Sequence, residues 1–309
     1  MPAIHNGDPL LTLNIMRILL TGKNGQLGWE LNHLLLPLGH VFALERNEMD
    51  LSKPETLGRV IQEIKPHIII NAAAFTAVDK AESEPELAMT VNGIAPKIMA
   101  QEAKKIGAGM IHYSTDYVFD GKATAPYNEE DPTRPLSIYG KSKLAGEKGV
   151  SQANIPHIIF RTSWIYSLRG SNFLLTMQKL AQTRKQIKVV NDQTGAPTWS
   201  RAIAIGTTQV LGKLLNTGTT TVFPNSGTFH MSCGGETNWF TFAERVLELS
   251  GLSNNTELVP IPTDEYPTPA IRPQYSLLSN KKLKQVFNYE MPHWQDALRD
   301  CLSPALKSE

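Results

Sequence analysis

The sequence predicts an α/β fold in which a doubly wound parallel sheet is joined to a smaller C-terminal lobe. Three observations predict it: apolar runs alternate with helix-length segments, a glycine-rich turn follows the first run, and proline and glycine become frequent beyond about Tyr166. Alternating strands and helices favour a parallel sheet with helices on both faces, and right-handed crossovers then make the sheet doubly wound. A chain of 309 residues also exceeds the size at which one core stops growing, so a second lobe is expected.

The predicted strands of the first half are short apolar runs, each expected to be buried on both faces. These strands are 16–21, 41–44, 67–71, 110–114 and 157–161, and the helices between them are 26–36, 54–64, 87–106 and 137–152. The second half has predicted strands at 187–190 and 228–232 and predicted helices at 201–215 and 240–250. We therefore divide the chain into an N-terminal extension (1–15), a first domain (16–165) and a mainly C-terminal lobe (166–309), with segments near 196–233 returning to the first sheet.

Charge and residue counts exclude several classes of protein. The sum of 30 Lys and Arg against 29 Asp and Glu gives a net charge of +1, which is too small an excess for a nucleic-acid or anionic-membrane binder. Two cysteines, Cys233 and Cys301, cannot form a disulfide framework or a four-ligand zinc site, and no metal is predicted. No apolar run approaches the ~18 residues of a membrane span, and residues 1–14 do not resemble a signal peptide. We expect a cytoplasmic protein with a small-molecule partner and with Met16 as an alternative start.

A glycine-rich turn, Thr-Gly-Lys-Asn-Gly-Gln-Leu-Gly at 21–28, follows the first predicted strand and opens the first predicted helix. Gly22 permits a tight turn, Gly25 lets backbone N–H groups approach a pyrophosphate, and Gly28 permits close packing of helix on strand. The N-terminus of the helix adds the positive end of its dipole. The pattern is typical of a Rossmann-type dinucleotide site, and a plain strand-to-helix turn is the alternative.

Residues beyond the turn are candidates for the rest of a dinucleotide site. Glu45 comes 23 residues after Gly22, where an acidic residue is expected to bond the adenosine ribose. Arg46 follows and could stack on adenine or pair with a 2′-phosphate, so the choice between NADH and NADPH stays open. Residues 50–51 and 71–74 lie where later loops would flank adenine and ribose.

A candidate proton-transfer set combines Tyr139, Lys143 and Thr115. Tyr139 and Lys143 are four residues apart on a predicted helix, so they project from one face. A tyrosine with a pKa of about 10 is a poor acid–base catalyst near neutrality, and a lysine one turn away is expected to lower that pKa. Thr115 follows the strand 110–114, and ligands of open parallel sheets bind beyond the carboxyl ends of strands. Thr115 is therefore placed to meet a carbonyl oxygen that Tyr139 protonates.

These motifs resemble those of the extended short-chain dehydrogenase/reductases, and within them the dTDP-4-dehydrorhamnose reductase family. The resemblance covers nearly the whole chain from residue 16. Its segments are GKNGQLGWEL (22–31), NAAAFTAVDKAESEPE (71–86), STDYVFDG (114–121), YGKSKLAGE (139–147), FRTSWIY (160–166), NDQTGAPT (191–198) and YPTPAIRP (266–273). The first and fourth are shared across the superfamily, whereas the others are more specific.

The resemblance implies roles for three groups of residues. The catalytic set is Thr115, Tyr139 and Lys143. The cofactor set is Gly22, Gly25, Gln26, Leu27, Gly28, Glu45, Arg46, Asp50, Leu51, Ala74, Thr76, Tyr139 and Lys143. The substrate set is Thr115, Asp116, Trp164 and Arg272, of which Arg272 would clamp the nucleotide diphosphate in a bidentate way.

The reaction implied by the resemblance is hydride transfer from NADPH or NADH to C4 of dTDP-4-dehydro-L-rhamnose. The product would be dTDP-L-rhamnose, used for bacterial cell-surface polysaccharide. Tyr139 would deliver the proton, Thr115 would orient the oxygen, and Lys143 would hold Tyr139 and the nicotinamide ribose. No motif encodes an oligomeric state, and a homodimer is allowed.

Other functions within and outside this fold stay open as alternatives. In 4,6-dehydratases of nucleotide sugars the catalytic threonine is followed by Asp and Glu, whereas here Thr115-Asp116 is followed by Tyr117, which disfavours elimination. Epimerases share the glycine turn and the Tyr/Lys pair but not the more specific segments. A different class is a non-catalytic regulatory subunit of a methionine adenosyltransferase, since fold does not guarantee turnover. The intact Thr115, Tyr139 and Lys143 favour the enzyme.

Overall fold

The computed structural model describes residues 15–215, 223 and 225–303. The predicted N-terminal extension, apart from Ile15, lies outside the described residues. The strands are β1 (Arg17–Thr21), β2 (His40–Leu44), β3 (Ile68–Asn71), β4 (Gly109–Thr115), β5 (His157–Thr162), β6 (Ile165–Tyr166), β7 (Gln186–Val190), β8 (Thr194–Gly195), β9 (Thr198–Trp199), β10 (Gly227–His230), β11 (Thr237–Asn238) and β12 (Glu257–Ile261).

The helices mostly alternate with these strands in the first half of the chain. They are α1 (Gln26–Leu34), α2 (Pro54–Ile64), α3 (Val78–Ser83), α4 (Pro85–Met89), α5 (Ala95–Ile106), α6 (Ile138–Gln152), α7 (Phe173–Ala181), α8 (Ser200–Leu215), α9 (Trp239–Leu249), α10 (Lys281–Phe287) and α11 (Trp294–Leu302). Short 3-10 turns occupy Leu36–Leu38, Asp116–Val118 and Thr263–Glu265. No helix in the described ranges is both long and apolar enough to cross a membrane.

A six-stranded sheet in the order β10-β5-β4-β3-β1-β2 forms the centre of the fold, and its strands pair in parallel. The chain runs outward from β1 to β2 and then returns to β3 on the other side of β1. The strand order therefore reverses between β1 and β3, which is where open parallel sheets bind ligands. The predicted doubly wound α/β fold is confirmed.

The two faces of this sheet carry two separate apolar clusters. Ile18 and Leu20 of β1 join one cluster, whereas Leu19 between them joins the other. Side chains of a strand point alternately to opposite faces, so a strand with helices on both sides needs apolar residues at consecutive positions. This requirement explains the unbroken apolar runs of β1 and β3.

Strand β2 is an exception to the expected burial on both faces. It is the edge strand, and it pairs only with β1. His40 is exposed and the four residues after it are half-buried. The prediction for 41–44 was therefore wrong in burial, because a short apolar run looks the same at the edge as at the centre of a sheet.

The predicted helix 87–106 is interrupted by a π-helical turn at Thr90–Ile94. Asn92 in this turn accepts a hydrogen bond from the Phe75 N–H at 2.8 Å and donates to the Phe75 carbonyl at 3.0 Å. Its amide also donates to the Ser142 hydroxyl on α6 at 3.0 Å. The extra residue in the turn aims Asn92 at the loop after β3, a typical use of a π-bulge.

Part of the second half of the chain lies on the first sheet. Strand β10 pairs with β5 in parallel, and α8 packs against α1. The remaining strands form two-stranded sheets, β12 with β7, β11 with β8 and β6 with β9. The division of the chain at residue 165 stays a prediction.

Candidate active site

A cleft of about 790 Å³ opens along the carboxyl edge of the six-stranded sheet. Its size is that of a typical small-molecule site. Most of the predicted site residues line it, and they come from the carboxyl ends of the strands β1 to β5, the loops after them and the starts of helices α1 and α6. These lining residues are Gly22, Gly25, Gln26, Leu27, Arg46, Asp50, Leu51, Ala74, Thr76, Thr115, Asp116, Tyr139, Lys143 and Trp164. Gly28, Glu45 and Arg272 are not among them.

The glycine turn at one end of the cleft has no room for a side chain at Gly22 or Gly28. Gly22 has φ of +75°, and a Cβ there would lie 3.0 Å from the backbone of Ala73. A Cβ on Gly28 would lie 2.0 Å from the carbonyl oxygen of Gly22. Gly25 is the N-cap of helix α1, which begins at Gln26, and no side chain in the described ranges caps it. Its first-turn N–H groups therefore face the cleft as a site for an anion, which fits the pyrophosphate of a dinucleotide.

Glu45 does not line the cleft, in contrast to its predicted contact with the adenosine ribose. Its carboxylate accepts a hydrogen bond from Asn24 Nδ2 at 2.7 Å and lies 3.8 Å from Lys23 Nζ, so it braces the glycine turn. Arg46 and Asp50 do line the cleft, with Arg46 Nε 3.4 Å from Asp50 Oδ1. Of the two carboxylates predicted to lie near the adenosine, Asp50 lines the cleft and Glu45 does not.

Arg272 also lies apart from the cleft wall. Its two terminal nitrogens donate to the two carboxylate oxygens of Asp79 at 3.1 and 2.8 Å, and Asp79 also accepts the N–H of Ala270. This guanidinium holds the pKa of Asp79 below its usual value. The Arg272 guanidinium, which was predicted to clamp a diphosphate, is already paired with Asp79. This ion pair links the segment 266–273 to the start of α3.

Tyr139 and Lys143 are brought to the end of β4 by the start of α6. Ser137 caps this helix by accepting the Gly140 N–H at 3.2 Å. A Cβ on Gly140 would lie 2.2 Å from the carbonyl oxygen of Tyr117, so glycine lets the helix approach the turn after β4. The buried Lys143 Nζ donates to the carbonyl of Tyr113 at 2.5 Å.

The expected effect of Lys143 on the pKa of Tyr139 is not found. Burial raises the pKa of Tyr139 to about 12, the Thr115 hydroxyl opposes this, and the Asp116 charge adds to it. Burial also lowers the pKa of Lys143 to about 8, against the effect of Glu147. The cost of removing water from each group dominates its pKa, and this burial is not visible in the sequence spacing. Tyr139 is therefore a phenol near neutrality, the form that can donate a proton.

Three buried side-chain oxygen atoms near Thr115 and Tyr139 lack hydrogen-bond partners in the described part of the chain. The Ser114 Oγ, Asp116 Oδ2 and Thr162 Oγ1 atoms form no hydrogen bond with any described residue. All three residues line the cleft at the ends of β4 and β5. Buried polar atoms are normally paired, so this group fits a polar ligand such as a sugar.

Asp116 has an unusual electrostatic environment for a carboxyl group. Its Oδ1 accepts a hydrogen bond from Thr115 Oγ1 at 2.9 Å, and its side chain is 1% exposed. Burial raises the pKa of Asp116 to about 6, although the hydroxyls of Ser276 and Thr115 oppose the shift. At neutral pH the carboxylate is charged and can accept hydrogen bonds from hydroxyl groups.

We expect Asp116→Asn to become more stable than the wild type as pH rises. In the wild type the folded-state pKa of Asp116, about 6, lies above the unfolded value of about 3.9. Ionisation of Asp116 therefore costs the folded wild type stability as pH rises through this range, whereas the asparagine variant does not ionise. The gap in unfolding free energy should therefore grow between pH 4 and pH 8, by roughly 3 kcal/mol. Urea denaturation of both proteins across this range measures it. A gap that does not change with pH would show that Asp116 is not held in this state.

Several lining residues were missed by the sequence analysis. They are Met49, Phe75, Thr162, Asn172 and Trp239. Thr162 could have been found, because it follows the strand 157–161 at the carboxyl edge where ligands bind. Trp239 had no such signal, since the pairing of the C-terminal lobe cannot be read from its short strands.

Comparisons with known proteins agree with the geometry of the cleft. The family described as "RmlD substrate binding domain" matches residues 16–306. The dTDP-4-dehydrorhamnose reductase of Burkholderia thailandensis is 46% identical over 94% of this chain and 99% of its own length. This chain belongs to the dTDP-4-dehydrorhamnose reductase family. The predicted resemblance is confirmed.

Solved structures of dTDP-4-dehydrorhamnose reductases have the same fold. The enzyme of Clostridium acetobutylicum is 38% identical with a TM-score of 0.86, over 95% of this chain and 100% of that chain. The enzyme of Bacillus anthracis, solved in complex with NADP, is 35% identical with a TM-score of 0.85, over 93% of this chain and 98% of that chain. The reductase fold thus extends over both halves of the chain.

Proposed function

We propose that the protein reduces the 4-keto group of dTDP-4-dehydro-L-rhamnose to give dTDP-L-rhamnose, with NADPH or NADH as the reductant. The observation that carries this proposal is the joint position of Thr115, Tyr139 and Lys143 at the sheet edge, in one cleft with the glycine turn. Relatives at 46% and 42% identity bear the name of this reductase, and a similar structure was solved with NADP. The product would serve the synthesis of bacterial surface polysaccharide.

The residues of the cleft divide the work of ketone reduction. When bound, the reduced nicotinamide supplies the hydride. Tyr139, held as a phenol with its pKa raised to about 12 by burial, gives its proton to the oxygen that gains charge. Thr115 orients that oxygen with its hydroxyl. Lys143, with its pKa lowered to about 8 by burial, keeps a positive charge near neutrality and favours the phenolate that remains.

The two ends of the cleft would hold the two nucleotides. The N-terminus of α1 at Gly25–Leu27 would hold the pyrophosphate of the dinucleotide. Arg46, Asp50 and Leu51 would surround its adenosine, and Ala74 and Thr76 would lie along its length. Asp116 and Trp164 would face the sugar of the substrate. On this basis residues 16–165 form the cofactor half and 166–309 mainly the substrate half.

Replacing Gly28 by Ala is expected to weaken NADPH binding by at least about tenfold. The new methyl group would lie 2.0 Å from the Gly22 carbonyl oxygen, so the turn must move. Fluorescence titration with NADPH measures the affinity. Gly212→Ala on α8 is the matched control: a Cβ there meets no atom within 4 Å, and alanine favours the helix. Wild-type affinity in Gly28→Ala would remove the turn from the cofactor site.

A coupled assay with the purified protein tests the proposed reaction. The upstream enzymes generate the 4-keto sugar nucleotide, and oxidation of NADPH or NADH is followed by absorbance. Turnover that requires the sugar nucleotide is the expected result, and the ratio of the two rates gives the coenzyme preference. No oxidation with either coenzyme, together with tight binding to a methionine adenosyltransferase, would favour the regulatory alternative. A homodimer and a cytoplasmic location stay predictions.

A further inference from the structure

Two stacked tryptophans lie in the cleft wall next to the catalytic set. The ring centroids of Trp164 and Trp239 are 3.6 Å apart and their planes differ by 8°. Both side chains line the cleft. In the register of β4 and β5, Thr162 pairs with Thr115, and Trp164 follows two residues later. The stack therefore lies just beyond the carboxyl end of β5, next to the strand that ends at Thr115.

The backbone of Trp164 is held in a conformation that tryptophan rarely adopts. Its φ is +46°, in the left-handed region. Its carbonyl accepts the Thr198 N–H at 3.1 Å. Its indole lies so close to Gly195 that a Cβ there would be 2.6 Å from Cε2. Such strain persists only where the surroundings fix the residue, and it is frequent at functional sites.

Trp239 is itself fixed by the C-terminal lobe. Its Nε1 donates to Gln193 Oε1 at 3.1 Å, and Gln193 Nε2 donates to Thr263 Oγ1 at 3.1 Å. The Thr263 hydroxyl in turn donates to Asp192 at 2.6 Å. The ring of Phe173 packs against Trp239 with a centroid distance of 4.6 Å. Trp239 thus has a defined orientation before it meets Trp164.

We propose that Trp239 is a positioning residue that fixes the Trp164 indole for the sugar of the nucleotide substrate. At 3.6 Å the two rings are in contact, so no third ring fits between them, and the support acts through Trp164. The negative face of an indole attracts polarised C–H groups, which a deoxy-sugar ring presents on one side. The inference rests on the proposed function, because it takes Trp164 to face that sugar.

The test compares Trp239→Leu, Trp239→Phe and the control Phe240→Leu in the full chain. Phe240 is the next residue on α9 and does not line the cleft. We expect Trp239→Leu to raise KM for the 4-keto sugar nucleotide about tenfold while kcat and the Kd for NADPH change little. Trp239→Phe keeps a stacked ring and should recover most of the loss. Phe240→Leu should behave as the wild type.

A spectroscopic measurement and a binding measurement complete the test. Two stacked indoles give a coupled signal in far-ultraviolet circular dichroism, which should vanish in both Trp239 variants. If the wild type turns over, two results for Trp239→Leu would overturn the inference. One is an unchanged KM, and the other is a rise in KM accompanied by equally large decreases in kcat and in NADPH affinity. If the wild type does not turn over, calorimetry with dTDP-L-rhamnose decides. If dTDP-L-rhamnose binds the wild type but binds Trp239→Leu more weakly, the inference holds although the proposed reaction fails. If dTDP-L-rhamnose does not bind the wild type, both the inference and the proposed function are overturned.

Discussion

Tyr139→Phe is expected to lower kcat by about 10²- to 10⁴-fold while the Kd for NADPH stays near the wild-type value. The substitution removes one oxygen atom, which is the proton donor of the proposed reaction. The ring is retained, so its edge contact with Tyr117, at a centroid distance of 5.6 Å, should be kept. Single-turnover oxidation of NADPH with the 4-keto sugar nucleotide measures the chemical step directly.

Tyr127→Phe is the matched control for this prediction. Tyr127 is buried and its hydroxyl donates to Asp120 at 3.1 Å, but it does not line the cleft. Loss of this hydroxyl should lower stability slightly and leave kcat unchanged. If Tyr139→Phe kept normal turnover, Tyr139 would not be the acid, and another donor in the cleft would have to be sought.

Glu147→Gln is expected to lower the free energy of unfolding by about 3–5 kcal/mol. Glu147 on α6 accepts two hydrogen bonds from Arg161 on β5, from Nε at 2.9 Å and from Nη2 at 2.8 Å. Each side chain is only 6% exposed, so the neutral variant leaves a buried guanidinium without its counter-charge. The same pair fastens the helix of Tyr139 and Lys143 to the sheet. Urea denaturation measures the loss.

An exposed ion pair provides the comparison for Glu147. Arg59 Nε and Glu63 Oε1 lie 3.8 Å apart on α2, with side chains 77% and 70% exposed. Glu63→Gln should change stability by less than about 0.5 kcal/mol, because water screens the pair. Replacing Glu147 and Arg161 together by apolar residues should cost less than Glu147→Gln alone. Equal effects of Glu147→Gln and Glu63→Gln would contradict the buried pairing.

The sequence predicted the centre of the sheet well and its edge less well. Strands β1, β3, β4 and β5 were found within two residues of their ends, because buried parallel strands require unbroken apolar runs. The edge position of β2 and the π-turn at Thr90–Ile94 depend on tertiary neighbours, which no local pattern contains. The helices α3, α7 and α11 were not predicted, although α11 buries Trp294, Ala297, Leu298, Cys301 and Leu302 at the spacing of an amphipathic helix.

The site residues were also predicted well where local structure fixes their position and less well where tertiary contacts decide it. Tyr139, Lys143 and Thr115 were placed together correctly because the end of a strand and one face of a helix fix their positions. Glu45 and Arg272 do not line the cleft: Glu45 pairs with Lys23 and Asn24, and Arg272 pairs with Asp79. Residue spacing cannot show such pairings, so the roles of these two residues stay predictions. The raised pKa of Tyr139 follows from burial, which becomes known only with the structure.

The return of β10 to the sheet has a consequence for synthesis of the chain. Strand β5 ends at Thr162, but its outer neighbour begins only at Gly227. While the intervening residues are still being made, the apolar β5 is an open edge, and open edges promote pairing with other chains. A fragment ending at residue 165 would keep the glycine turn and the catalytic set yet expose this edge permanently. Covering this edge therefore requires the segment that begins at Gly227, so the six-stranded sheet is complete only after most of the chain has been synthesised.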